Sequence, residues 1–180
     1  MTCIIAVAEN GKVYMGGDSR VSTGSGYTRV KREKKVFRIG EFLIGVSGSV
    51  RGDNLLKFSL DVSKNTGEDD FKYMVTSVVP VLRELFKDAG HSEIDNNVEG
   101  VGNYLLIGYR GVIYNFSGDF QIDVYVEDFT AVGTGRPYAL GAMEALSEKD
   151  ILPELKIISA LEIAGKYNAF VGAPYYVEEL

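Results

Sequence analysis

The chain has no tryptophan, one cysteine, one histidine and four prolines among its 180 residues. With Cys3 as the sole cysteine no internal disulfide can form, a state that suits a reducing cytoplasm. His91 and Cys3 together fall short of a zinc site built on His and Cys ligands, and a single histidine disfavours His-dependent triads. His91 lies in the polar stretch Gly90–Asn97, where solvent exposure is expected. Basic charge is also scarce. The 19 Lys and Arg against 25 Asp and Glu give a net charge of -6, no field for a phosphate backbone, so nucleic acid is not expected as a partner. No apolar run approaches the length that spans a bilayer, and no basic segment followed by an apolar stretch marks a secretory signal. The expectations are a cytoplasmic protein with no membrane partner, no metal and no cofactor.

What is present is ordinary globular material: 46% hydrophobic and 24% charged residues, enough chain for one domain over residues 1–180. Apolar strand Cys3–Ala8 turns at Asn10-Gly11, a strong hairpin signal, into Val13–Asp18. Ser19–Glu33 reads as a loop with short irregular strand, and Lys35–Ile39 pairs with Phe42–Ser47 across Gly40-Glu41. The period then becomes helical over Val50–Ser63 and Phe71–Lys87, with a polar loop from Asp88 to Glu99. Strands return at Tyr104–Tyr109, Val112–Asn115, near Gln121–Val126 and at Phe129–Gly133. Helices follow at about Arg136–Ser147 and Pro153–Asn168, and Tyr175–Glu178 closes the order. Strands, two helices, strands, two helices: this predicts an α+β fold of two stacked, mainly antiparallel sheets with helices on both outer faces, a four-layer αββα sandwich. A doubly wound parallel sheet would need strands and helices to alternate singly.

Thr2, directly behind Met1, is the candidate centre of chemistry. Loss of Met1 would leave a hydroxyl and a free α-amine on one residue, and that amine can act as the hydroxyl's base. An α-amine titrates at about 7.7–8.0, close to working pH, whereas a lysine titrates at about 10.4. The Asn10-Gly11 hairpin returns Asp18 to the neighbourhood of Thr2. Lys35 opens a strand with apolar neighbours, so its amine needs a partner, and Asp18 is the natural one. Gly45 and Gly48 bracket the end of the fourth strand, where a backbone N–H can face an oxyanion. Gly133-x-Gly135 before a helix lacks the Lys-Ser/Thr pair of a phosphate-binding loop. Asp95, Asn97 and Glu99 miss the spacing of a calcium loop.

Thr2, Gly17-Asp18, Lys34-Lys35-Val36 and Gly45-Val46-Ser47-Gly48 follow in the order seen in proteasome β-type threonine peptidases. Val132-Gly133-Thr134-Gly135-Arg136-Pro137-Tyr138-Ala139 is similar to that family's Gly-Ser-Gly-x-Pro-Tyr-Ala stretch. Ala160-Leu161-Glu162-Ile163-Ala164-Gly165 and Val177-Glu178-Glu179-Leu180 resemble the HslV-like branch. The resemblance implies the N-terminal nucleophile (Ntn) hydrolase fold and a threonine-type endopeptidase working through an acyl-enzyme on Thr2 after Met1 removal. It implies that Lys35 tunes the nucleophile, Asp18 holds Lys35, the Gly45 N–H forms the oxyanion hole and Thr134 stands near the amine. By the same resemblance Val21, Glu33, Leu43 and Ser47 line the specificity pocket.

One stretch departs from the pattern. The family's Asp-x-x-Ser-Gly on the last helix is best matched by Asn168-Ala169-Phe170-Val171-Gly172; in a second register Lys166 replaces the aspartate. The implied partners are peptide or unfolded-protein substrate, further copies in a homo-oligomeric ring, and an ATP-dependent unfoldase. The alternatives are a catalytically inactive ring or scaffold subunit, and an amidase acting on small amides.

Overall fold

The computed structural model describes residues 1–23 and 25–180; Gly24, inside the Ser19–Glu33 stretch, lies outside the described residues. The strands in chain order are β1 (Ile4–Glu9), β2 (Lys12–Gly17), β3 (Arg20–Ser22), β4 (Thr28–Val30), β5 (Val36–Ile39), β6 (Phe42–Ser47), β7 (Ser92–Asp95), β8 (Val98–Val101), β9 (Tyr104–Tyr109), β10 (Val112–Phe116), β11 (Ile122–Asp123), β12 (Phe129–Val132) and β13 (Tyr176–Glu179). The helices are α1 (Val50–Ser59), α2 (Asp70–Tyr73), α3 (Val79–Asp88), α4 (Arg136–Ser147) and α5 (Pro153–Tyr167).

Asn10 and Gly11 take left-handed φ values of 54° and 73°, the twist a two-residue hairpin between β1 and β2 requires. Ile4 therefore pairs with Gly17, which brings the start of β1 back to the end of β2. One sheet runs β12-β1-β2-β13, the other β11-β10-β9-β6-β5, with every pairing antiparallel. Ile4, Met15, Val36, Leu43 and Leu106 fill the space between the sheets. Cys3, Ile5 and Val7 point the opposite way, against Ala139, Met143, Ile157 and Leu161 of α4 and α5. On the far side, Phe42, Ile44 and Leu105 pack against Leu56, Met74, Leu82 and Phe86 from the other helices. Alternation along each strand thus serves two cores at once, and the predicted four layers are present.

Four local expectations change. The helix expected over Phe71–Lys87 contains a π-helical segment, Met74–Val78, just before Pro80. Proline lacks an N–H and clashes with the carbonyl four residues back, and the wider turn absorbs both. The expected loop Asp88–Glu99 holds most of the β7–β8 hairpin, turned by Asn96 and Asn97 at φ 48° and 63°. His91 is half-buried rather than solvated; its ring meets Asn103 Oδ1 at 2.9 Å and packs on Phe86. Of the strand expected at Gln121–Val126, only Ile122–Asp123 pairs, and Val126 is 98% exposed.

Candidate active site

Thr2 sits just ahead of β1 and is 3% exposed. Two elements fix it. The turn between β12 and α4 clamps its backbone: Gly135 N–H donates to the Thr2 carbonyl at 3.1 Å. Gly133 stands at φ 95°, and a Cβ there would lie 2.3 Å from that same carbonyl, so only glycine fits. The Gly133-x-Gly135 pattern therefore grips the chain itself. Thr134 Oγ1 makes a long 3.5 Å contact to the Thr2 carbonyl, and Asn168 Nδ2 donates to the Thr134 carbonyl at 2.8 Å.

Asp18 lies directly after β2 and is 1% exposed. Its Oδ1 accepts from Cys3 N–H at 3.0 Å and from Lys35 Nζ at 2.8 Å. Its Oδ2 accepts from Arg20 N–H at 3.0 Å and Gly172 N–H at 3.2 Å. Four donors on one buried carboxylate use both of its oxygens and fix it in place.

Lys35 stands one residue before β5, at a bend, so the strand's alternation does not set its direction. Its Nζ donates to Asp18, to the Arg20 carbonyl at 2.6 Å and to Thr2 Oγ1, using all three N–H groups. Burial pushes the Lys35 ammonium below the usual lysine range, and Asp18 opposes that shift by charge and hydrogen bond. The Met1 amine is lowered too, by burial first and the Lys35 cation second. Cys3, on the other side of the same strand start, has its thiol pushed up to about 12, mainly by burial.

Thr2, Asp18, Lys35 and Thr134 are thus brought together. Gly45 is not. It lies inside β6, paired with Val36 and Leu106, and a Cβ there would meet Ile4 and Met15 in the space between the sheets. The glycine at the cleft is Gly48, which follows β6 at φ 131° and lines the depression beside Thr2.

Of the residues expected in the specificity pocket, Val21 lines that depression. Glu33 is exposed and paired with Lys57 at 2.5 Å, Leu43 is buried between the sheets, and Ser47 borders a neighbouring groove with Thr134 and Tyr104. Sequence reasoning missed Ser22, Lys31 and Asp53, which complete the wall. Asp53, an acid in the first turn of α1 behind the N-cap Ser49, was the available signal. In the last helix region Asn168 occupies the place beside Thr134, while Lys166 is exposed and lies over the Tyr167 ring. Among the described residues no group of three or more His, Cys, Asp or Glu is gathered to hold a metal ion. Among them, too, no helix is long and apolar enough to cross a membrane.

No protein-family model matches the chain. The "ATP-dependent protease subunit HslV" of Caldicellulosiruptor saccharolyticus is 29% identical over 184 residues, covering 99% of this chain and 98% of that one. The proteins of the same name from Sulfurihydrogenibium sp. and Pseudothermotoga lettingae are 28% and 27% identical, each over 99% of this chain and over 96% and 97% of their own length. Among solved structures, Thiobacillus denitrificans BPH superposes with a TM-score of 0.84 at 22% identity, over 99% of this chain and 97% of that one. BPH has also been solved in complex with epoxomicin, where the TM-score is 0.81 at 20% identity over 99% and 98% of the two chains. HslV from Trypanosoma brucei gives a TM-score of 0.70 at 20% identity over 99% of both chains. The fold is therefore the αββα sandwich shared with these solved structures, and along its whole length the chain is similar in sequence to proteins named HslV.

Proposed function

We propose that the chain is a threonine-type endopeptidase whose nucleophile is Thr2 once Met1 has been removed. The observation that carries this is the Lys35 ammonium held at once against Thr2 Oγ1, Asp18 and the Arg20 carbonyl. A fixed cation beside a hydroxyl favours its alkoxide form, and fixed charges in a dry site cost no reorganisation during reaction. The freed Thr2 amine takes the hydroxyl proton as Oγ1 attacks the peptide carbonyl carbon, and then delivers it to the departing amine. The Gly48 N–H, rather than that of Gly45, is assigned to the oxyanion. Water then cleaves the ester and restores Thr2. Asp18 holds Lys35, while Thr134 and Asn168 steady the turn that grips the Thr2 backbone.

The name carried by the relatives supports unfolded protein or peptide as substrate and an ATP-driven unfoldase as partner. We extend this to a homo-oligomeric ring with the sites facing an inner chamber, to residues 1–180 as one peptidase unit, and to a cytoplasmic setting that suits the unpaired Cys3. A second reading, an inactive ring or scaffold subunit, draws on Asn168 at the place where the family has an aspartate. Epoxomicin separates the two, given its complex with BPH. The peptidase gains the mass of one inhibitor on Thr2 and loses turnover; a scaffold subunit stays unmodified after Met1 loss.

A further inference from the structure

The depression beside Thr2 has a floor of its own chemistry. Lys31 and Asp53 meet there as an ion pair whose side chains are 13% and 7% exposed. Lys31 Nζ donates to Asp53 Oδ2, but among the described residues buried Asp53 Oδ1 has no hydrogen-bond partner, and neither has buried Ser22 Oγ. Buried polar atoms are nearly always paired, because each one left alone forfeits its hydrogen bonds to water. Two orphans in one cleft, next to a nucleophile, point to a guest that completes them. Val21, Val46 and Val50 supply apolar wall around the same space.

We propose that this pocket selects substrates bearing a carboxamide side chain, glutamine foremost, on the acyl side of the bond cut; the proposal rests on the Thr2 peptidase assignment. The amide N–H donates to Asp53 Oδ1, the amide carbonyl accepts from the Ser22 hydroxyl, and the methylene stem lies against the valines. Asp53 Oδ1 and Ser22 Oγ both lie just beneath the cleft surface, so in the proposal the guest reaches them as the Lys31 and Ser22 side chains rotate, Lys31 keeping Oδ2.

Charge decides against the other classes. Lys31 and Lys35 are already balanced by Asp53 and Asp18. Burial, then Lys35 and Lys57, depresses the Lys31 ammonium, with Glu33 opposing, so a further cation is unwelcome there. A carboxylate guest would face the unpaired Asp53 oxygen. Leucine leaves both orphans unpaired, and a site built to hydrogen-bond a guest rejects an analogue that cannot. If the ion pair merely tied the segment before β5 to α1, the pocket would be indifferent to these distinctions.

The test uses the full chain, freed of Met1, and fluorogenic peptides identical except for Gln, Leu, Glu or Arg on the acyl side. The wild-type kcat/KM for Gln exceeds each of the others by about tenfold or more. Asp53→Asn leaves Lys31 uncompensated and shifts the Glu to Arg ratio toward Glu; Lys31→Met leaves Asp53 uncompensated and shifts it toward Arg. Leu, Glu or Arg equal to Gln in the wild type overturns the proposal, and so does a Glu to Arg ratio unmoved in both variants. If a variant does not fold, the wild-type series decides alone. Thr2 modified by epoxomicin without cleavage after Gln overturns the pocket and leaves the nucleophile standing. No cleavage together with unmodified Thr2 removes both.

Discussion

At Lys35 one ammonium serves three acceptors, and Thr2 Oγ1 is the one to which the proposed mechanism assigns the attack. Lys35→Met is expected to cut turnover by about 10²–10³-fold or more, the scale seen when a fixed charge-stabilising group is removed. Breaking a buried pair typically costs ~3–5 kcal/mol, but Asp18 keeps three backbone N–H donors, so the variant is expected at the low end of that range, measured by urea unfolding. Cys3 gives a pH signature. Its thiol titrates at about 12 in the native chain against 9.0 unfolded, so between those values the native state binds the extra proton and stability falls as pH rises. The slope reaches at most ~1.4 kcal/mol per pH unit, and Cys3→Ala removes it, read from unfolding curves at pH 8, 9 and 10. Lys35, lowered instead, has the opposite sign and raises stability toward pH 10. The meeting of Thr2 and Asp18 was legible in the sequence because a two-residue hairpin leaves no freedom in where its ends meet, whereas Lys35 was expected there from its need for an acidic partner and from the family resemblance. Gly45 was not distinguishable from Gly48, since spacing alone does not say which glycine lies within the sheet and which lies past its end.

The elements around the site are held by turns more than by helices. The β12–α4 turn grips Thr2 through Gly133 and Gly135, and Gly133→Ala puts a Cβ 2.3 Å from the Thr2 carbonyl at a φ of 95°. The expected result is a loss of ~1–3 kcal/mol or more in stability and slower epoxomicin modification per folded molecule, measured side by side. Gly45→Ala, by contrast, overpacks the space between the sheets against Ile4 and Met15 and is expected to cost ~1–3 kcal/mol. Helix and strand periods revealed most of these elements. They could not reveal the π-helical segment, where Pro80 alone carries the signal, or the β7–β8 hairpin, whose four-residue strands are too short for a clear period, β7 being mostly polar and exposed.

Across the whole molecule, the strand–helix–strand–helix order was enough to predict four layers, because each strand carries two faces and each face needs a cover. The proposed specificity pocket was not readable at this scale. It draws on β3, the segment before β5, the end of β6 and α1, and only their three-dimensional meeting places Lys31 against Asp53. The proposed ring is expected to appear in native mass spectrometry as a high multiple of the 19.7 kDa chain; an active species of one chain would contradict it. The most direct measurement is the intact mass of the purified protein before and after epoxomicin, with peptide mapping of the modified residue. The expected result is a chain lacking Met1 that gains one inhibitor on Thr2 and loses peptidase activity, while Thr2→Ala gains none. Peptide hydrolysis by a chain that fully retains Met1, or equal hydrolysis by Thr2→Ala, would contradict the assignment of Thr2 as nucleophile.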